Sequence, residues 1–213
     1  MTGIWTEEGS DFIVANPKPY KRQVYRPNDK PVLLLDQDEP LAMWDDTWWN
    51  WVEKFGMDTN GMTRDTFTAR YATEHLNERD ALIMRHFAEE AHWYHNLPVT
   101  PGAQDGVAEL EKHFDIWVCT KPTAANKSCY QGKSDWIAEH FPSLHEKLFI
   151  APNKGMLQGD ILLDDAPAIE WIEQGNWAPV IFSKPFNQGH SVWADYPHFS
   201  WGDDIGILLD QVK

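Results

Sequence analysis

A short apolar run that stops abruptly in paired carboxylates, Pro31-Val-Leu-Leu-Leu-Asp-Gln-Asp38, constrains the fold of this chain more than any other segment. A continuous apolar run bounded on both sides is what a strand buried on both faces requires, and such strands belong to parallel sheets covered by helices. The loop leaving such a strand at its carboxyl end is where open α/β sheets hold their ligands. Asp36 and Asp38 are therefore expected to be presented together at a site. The pattern recurs at Ile161-Leu-Leu-Asp-Asp165. Two strand-terminal acidic pairs in one chain point to a hard divalent cation, because oxygen ligands at this density suit magnesium.

The remainder alternates apolar runs with helical periodicity. Strands are predicted at 31–36, 115–119, 147–151, 160–163 and 178–183, and helices at about 103–112, 133–140 and 166–173. That alternation implies βαβ units and an α/β fold with a Rossmann-like, mostly parallel sheet. Residues 45–97 carry helical patterns at 48–55, 64–75 and 80–94, a span too long to be a simple loop. The chain is thus expected to divide into an N-terminal extension (1–30), an α/β core (31–44 and 98–213) and a small helical cap (45–97). Trp44, Trp48 and Trp51 recur at helical spacing. An aromatic docking face explains that stripe in the cap, and stacking on a planar ligand explains one of its members.

Charge excludes several partners. With 33 acidic and 18 basic residues the formal net charge is −15, which repels long nucleic acid and anionic membranes. A small anionic substrate is still compatible with a locally positive site. No apolar stretch approaches membrane-spanning length, and the N-terminus lacks the basic start and apolar centre of a secretory signal. The two cysteines, Cys119 and Cys129, do not indicate a disulfide framework, so a reducing cytoplasm is expected.

Asp36-x-Asp38, Thr120, Lys154 and Asp164-Asp165 each lie just beyond an apolar strand, in that order. Their succession resembles the four motifs of the haloacid-dehalogenase superfamily, and within it the 5′(3′)-deoxyribonucleotidase family. The supporting segments are Leu-Leu-Asp-Gln-Asp-Glu-Pro-Leu-Ala (34–42), Thr-Pro-Gly-Ala (100–103), Trp-Val-Cys-Thr-Lys-Pro (117–122), residues 153–165 and Ser-Trp-Gly-Asp-Asp (200–204). The family usually has glycine directly after the second aspartate, followed by valine or threonine; here Glu39-Pro40 stands in those places. Proline removes one backbone N–H, and Glu39 beside a phosphate site is expected to repel substrate or alter the loop.

The resemblance implies phosphate-ester hydrolysis. Asp36 would attack phosphorus and form an aspartyl-phosphate, and Asp38 would protonate the leaving oxygen and later deprotonate water. Magnesium would bind Asp36, the Asp38 backbone carbonyl and Asp165, with Asp164 binding or orienting. Thr120, Lys121 and Lys154 would hold the phosphoryl group. The family's base-stacking aromatic corresponds to Trp44, with Phe67, Phe87, Trp93 and Tyr94 as further cap aromatics. A nucleoside monophosphate is the implied substrate, and a homodimer is compatible with the chain. Two other readings share these residues: a phosphatase of another small phosphomonoester, and a catalytically impaired nucleotide-binding protein, motivated by Glu39-Pro40.

Three other signals are set aside. Gly132-Lys133-Ser134 resembles the end of a P-loop, but position 127 is lysine where glycine is required. His92 and His95 near Glu89 lack the second Glu-x-x-His of a di-iron bundle. Asn126-Lys-Ser128 is a glycosylation sequon, which matters only in a secreted chain.

Overall fold

A computed structural model of the chain describes residues 26, 29–64, 76–90, 92–189 and 191–212. The expected extension at 1–30, apart from Arg26, Asp29 and Lys30, and most of the expected helix at 64–75 lie outside the described residues.

Among the described residues six strands form one sheet: β1 (Val32–Leu35), β2 (Asp115–Thr120), β3 (Leu148–Ile150), β4 (Ile161–Asp164), β5 (Ala178–Phe182) and β6 (His198–Phe199). Their order is β3-β2-β1-β4-β5-β6 and every neighbouring pair is parallel. The two apolar runs with acidic ends became the two central strands, and every residue of both is buried. Period two explains why both faces are covered. Leu33 and Leu35 join the larger core cluster with Leu163, whereas Val32 and Leu34 face a second cluster holding Trp171 and Trp177.

The chain runs from β1 outward through β2 and β3, then returns to place β4 and β5 on the other side of β1. That reversal opens a crevice beyond the carboxyl ends of β1 and β4. Register decides what meets there. Leu35 lies opposite Leu163, and the Asp36 N–H donates to the Leu163 carbonyl at 2.9 Å, so the acidic ends of the two strands are set side by side.

Between β1 and β2 lie α1 (Trp44–Phe55) and α2 (Glu78–Ala88). Trp48, Trp49, Val52 and Met84 from these helices pack on Ala166, Ile181, Phe186 and Trp193 of the core. The tryptophan stripe is therefore mainly a docking face. The helix expected over 80–94 stops at Ala88 because the Asn126 side-chain amide takes the carbonyls of Ala88 and Glu90 (2.9 and 3.1 Å). A short 3-10 helix, Tyr94–Asn96, follows. The Asn126 sequon side chain is buried in those bonds.

The remaining helices are α3 (Ala103–Leu110), α4 (Cys129–His140), α5 (Ile169–Gln174) and α6 (Gly206–Leu209). The expected helix at 133–140 begins a turn earlier, and the one expected from 166 begins at Ile169. There, the Ala166 N–H donates to Asp164 Oδ1 at 2.8 Å, which turns the chain before the helix starts. Strand β6 and helix α6, two and four residues long, carry no periodicity that a sequence reading could detect. Among the described residues no helix is long and apolar enough to cross a membrane.

The C-terminal segment returns to brace the first loop. Trp201 Nε1 donates to the Pro40 carbonyl at 2.6 Å, and its ring lies over Gly106 of α3. A Cβ at position 106 would lie 2.2 Å from Trp201 Cε3. Gly106→Ala is therefore expected to displace the indole and cost about 2 kcal/mol by overpacking, read as a lower denaturant midpoint with an unchanged slope. An unchanged midpoint would show that the ring has room to move.

Candidate active site

Asp36 follows β1 directly and is almost fully buried. Its Oδ1 accepts the Gln37 N–H at 2.7 Å and lies 2.8 Å from Lys154 Nζ. Lys154 opens a 3-10 helix, Lys154–Met156, whose N-cap Asn153 accepts the Gly155 N–H at 2.8 Å. This turn aims the ammonium under the sheet edge, where it also meets Asp164 Oδ2 at 2.6 Å. The other Asp164 oxygen holds the Ala166 N–H, so both of its oxygens are engaged within the protein.

Electrostatics follow from burial. Loss of solvent is the largest influence on Asp36, raising its pKa to about 7; Lys154 opposes this, while Asp164 and Asp38 add to it. Burial works against the Lys154 ammonium, but Asp164 and Asp36 outweigh it and hold its pKa above the ordinary value. Asp165 is pushed well above the carboxylate range by burial, Asp164 and Asp36. Ligand oxygens of Asp36, Asp164 and Asp165 lie within 4.8 Å of one another. Hard donors in that proximity, with Asp165 facing further carboxylates and in contact with no lysine among the described residues, fit a divalent cation bound by oxygen.

Asp38 is held from the side. Lys133 Nζ lies 2.7 Å from each of its carboxylate oxygens and 2.7 Å from Thr120 Oγ1, and sits 4.4 Å from the Tyr94 ring centroid. Lys133 is fully buried, a position a lysine occupies when paired. Thr120, at the end of β2, is fully buried behind it.

The loop between these aspartates and α1 accounts for Glu39-Pro40. The N–H groups of Leu41 and Ala42 donate to the Gln37 carbonyl (3.1 and 2.8 Å), and that of Glu39 donates to Ala42 (2.8 Å). The turn closes without an N–H at position 40, so proline is tolerated. Glu39 adopts φ 74° and its side chain is buried against Lys184, which follows β5. Burial raises the Glu39 pKa, and Lys184 counters that rise.

A pocket of about 490 Å³ opens over these groups. Its lining joins the charged groups of Asp36, Asp38, Lys154, Asp165 and Lys121 to the rings of Trp44, Tyr94 and Trp171. Trp93 is buried and meets Trp44 edge-on, centroids 5.8 Å apart, so it buttresses the pocket from behind. Phe87 packs on Trp51 and Phe55 away from the pocket, and Phe67 lies outside the described residues. Asp36, Asp38, Asp164, Asp165 and Lys154 are brought together; Trp44 and Lys121 line the same pocket, and Thr120 touches it through Lys133.

Three residues escaped the sequence reading. Lys133 lay in a segment considered only as a P-loop, although a lysine at i+4 from Cys129 and i−3 from Trp136 interrupts an apolar stripe. Lys184 stands beyond a predicted strand, where the other site residues stand. Trp171 lies under Lys154 and Lys121 (5.9 and 5.8 Å to the centroid) on α5 and had no distinguishing signal.

Residues 30–208 match the family described as 5′ nucleotidase, deoxy (pyrimidine), cytosolic type C protein. A candidate 5′(3′)-deoxyribonucleotidase of Bordetella pertussis is 27% identical over 187 residues, covering 85% of this chain and 97% of its own. The human mitochondrial 5′(3′)-deoxyribonucleotidase is 29% identical over 130 residues, 59% of this chain and 57% of its own length. The fold is similar to that of a haloacid dehalogenase-like hydrolase from Streptococcus pneumoniae, with a TM-score of 0.51 at 10% identity over 85% of this chain and 98% of that one.

The charge distribution predicts how the metal-free protein responds to pH. A carboxyl whose folded pKa is raised costs no stability below its unfolded pKa, and the cost appears as pH rises through the folded value. In chelator, Asp165→Asn is expected to be more stable than wild type by about 1 kcal/mol at pH 8. The gap should close as pH falls toward roughly 4, where carboxyls are protonated in both states. Thermal melts across that range check it; a variant less stable than wild type at pH 8 contradicts the electrostatic account.

Proposed function

Since this chain belongs to the deoxy-pyrimidine 5′-nucleotidase family of the haloacid-dehalogenase superfamily, we propose that it is a magnesium-dependent phosphatase of (deoxy)nucleoside monophosphates. The observation that carries this reading is the Lys154 ammonium held between Asp36 and Asp164 in a pocket that Trp44 also lines. The charged groups suit a phosphoryl group, and the Trp44 ring suits a planar base.

In this reading Asp36, rigid at the strand end, is the nucleophile and takes the phosphoryl group as an aspartyl-phosphate, dividing one hard step into two. Asp38 gives its proton to the leaving sugar oxygen and then takes one from the attacking water. Lys133 fixes the orientation of that carboxyl, so the same group serves both half-reactions. Lys154 stays positively charged and faces the charge that develops on the phosphoryl oxygens, a stabilisation worth about 3 kcal/mol for one placed donor. Asp164 positions Lys154. Lys121 stands at the pocket wall, free to approach a phosphate oxygen.

Magnesium would be held by the carboxylates of Asp36 and Asp165 with the Asp38 backbone carbonyl. Bound there, it supplies positive charge that lets a carboxylate approach a dianionic phosphate. Trp44, partly exposed in the pocket, offers a stacking surface, which tolerates several bases. The reading as an impaired binding protein rested on Glu39-Pro40. Its motive falls away, because Glu39 is paired with Lys184 and the loop needs no N–H at position 40.

Phosphate release over a panel of nucleoside monophosphates checks the proposal. Wild type with magnesium should release phosphate and lose that activity in chelator, and Asp36→Asn should fall by roughly 10³-fold or more. Lys133→Met, which frees the Asp38 carboxyl, should lower kcat by roughly 10²-fold. No release from any nucleotide in magnesium would refute the assignment.

A further inference from the structure

We propose that Glu39 and Lys184 form a strut that locks helix α1 onto the catalytic loop, and so sets the preference for phosphomonoesters carrying a base over those without one. The inference rests on the nucleotidase reading above and adds the residues that join its two halves.

Glu39 is placed at a cost. A side-chain-bearing residue at φ 74° is strained relative to the right-handed or extended regions, and such strain persists only where surrounding contacts over-determine it. Four contacts do so. The Glu39 N–H donates to the Ala42 carbonyl at 2.8 Å, and its carbonyl accepts the Thr100 hydroxyl at 2.7 Å. Its Oε1 accepts the Asp45 N–H at 2.6 Å, and its Oε2 pairs with Lys184 Nζ. The carboxylate is buried and the lysine largely so.

The Asp45 contact gives the strut its purpose. The first turn of a helix exposes N–H groups that need acceptors, and Met43, at the N-cap of α1, provides no side-chain acceptor. Glu39 fills that role from six residues upstream, with a negative charge where the helix dipole favours one. Trp44 and Asp45 are the first two residues of α1, and both line the pocket. The orientation of the Trp44 ring therefore depends on where α1 begins, and Glu39 fixes that point relative to Asp38, its immediate neighbour. Lys184, fixed to the end of β5, anchors the assembly to the sheet. One ion pair thus sets the distance between the groups that act on phosphate and the ring that stacks on the base.

A merely structural pair would predict a different result. Destabilisation lowers the amount of folded enzyme and reduces turnover of every substrate by the same factor. A strut that places Trp44 alters the ratio between substrates. The experiment measures kcat and KM in magnesium for a deoxynucleoside 5′-monophosphate and for 2-deoxyribose 5-phosphate, which carries the same ester without a base. Glu39→Gly relieves the strain and removes the strut; Lys184→Met removes it from the other side; Glu39→Gln keeps an acceptor for the Asp45 N–H. The double variant Glu39→Gly/Lys184→Met leaves no buried charge unpaired should Lys184→Met alone fail to fold.

In Glu39→Gly the ratio of kcat/KM for nucleotide over sugar phosphate should drop about tenfold, part of the worth of one stacked base. The loss should fall mainly in the nucleotide KM. Glu39→Gln should lose less, and the double variant should be no worse than Glu39→Gly. A ratio that stays at the wild-type value in Glu39→Gly and in the double variant, or losses that multiply in the double variant, overturns the strut while leaving the nucleotidase reading intact. A wild type that cleaves the sugar phosphate and ignores every nucleotide overturns both.

Discussion

The buried Lys154 ammonium between Asp36 and Asp164 is the contact on which the rest of the site depends. Two parallel strands end in carboxylates at the same level, and their register forces those groups together. Like charges so close cannot all ionise without compensation. Lys154 compensates the pair nearest the sheet, Lys133 compensates Asp38, and Lys184 compensates Glu39. Asp165 remains, in contact with no lysine among the described residues, and it faces the pocket. An unbalanced carboxylate beside the buried Asp36 reduces the stability of the metal-free fold. The same imbalance is what makes the site suited to a hard cation.

Much of this was legible before any coordinates. Runs such as Val-Leu-Leu-Leu-Asp and Ile-Leu-Leu-Asp-Asp state burial and termination in adjacent letters, because a fully buried strand allows no polar residue until its end. The parallel sheet and the two acidic pairs at its centre follow from that grammar, whereas Lys154 and Trp44 were expected at the site only from the resemblance to the haloacid-dehalogenase motifs. Strand ends are rigid, so position along the chain translates directly into position in space.

What stayed hidden has a common physical reason. Lys133 and Lys184 act through pairs formed across 95 and 145 residues, and nothing local marks which carboxylate a lysine will meet. Lys133 was visible as an interruption of an apolar helix face, yet its partner was not. Among the cap aromatics, sequence alone could not separate Trp44 and Tyr94, which line the pocket, from Phe87, which packs away from it. Helix positions report which residues share a face, and only the docking of the helix decides what that face meets. The early end of α2 is a case in point, set by a side-chain amide from residue 126.

The loop from Asp36 to Ala42 shows how a short segment is made rigid by distant ones. Residues 98–100 brace it through the Thr100 hydroxyl and N–H, Trp201 grips the Pro40 carbonyl, and Lys184 holds Glu39. These braces come from the segment before α3, the C-terminal segment and the exit of β5, three parts that have no contact with substrate in the proposed chemistry. Each supplies a donor to a carbonyl or carboxylate of the loop, and none needs an N–H from position 40. A loop held by its acceptors tolerates proline where one held by its donors would not. Glu39-Pro40 is thus absorbed by the surroundings, and the Glu39 carboxylate, held by Lys184, becomes a cap for α1.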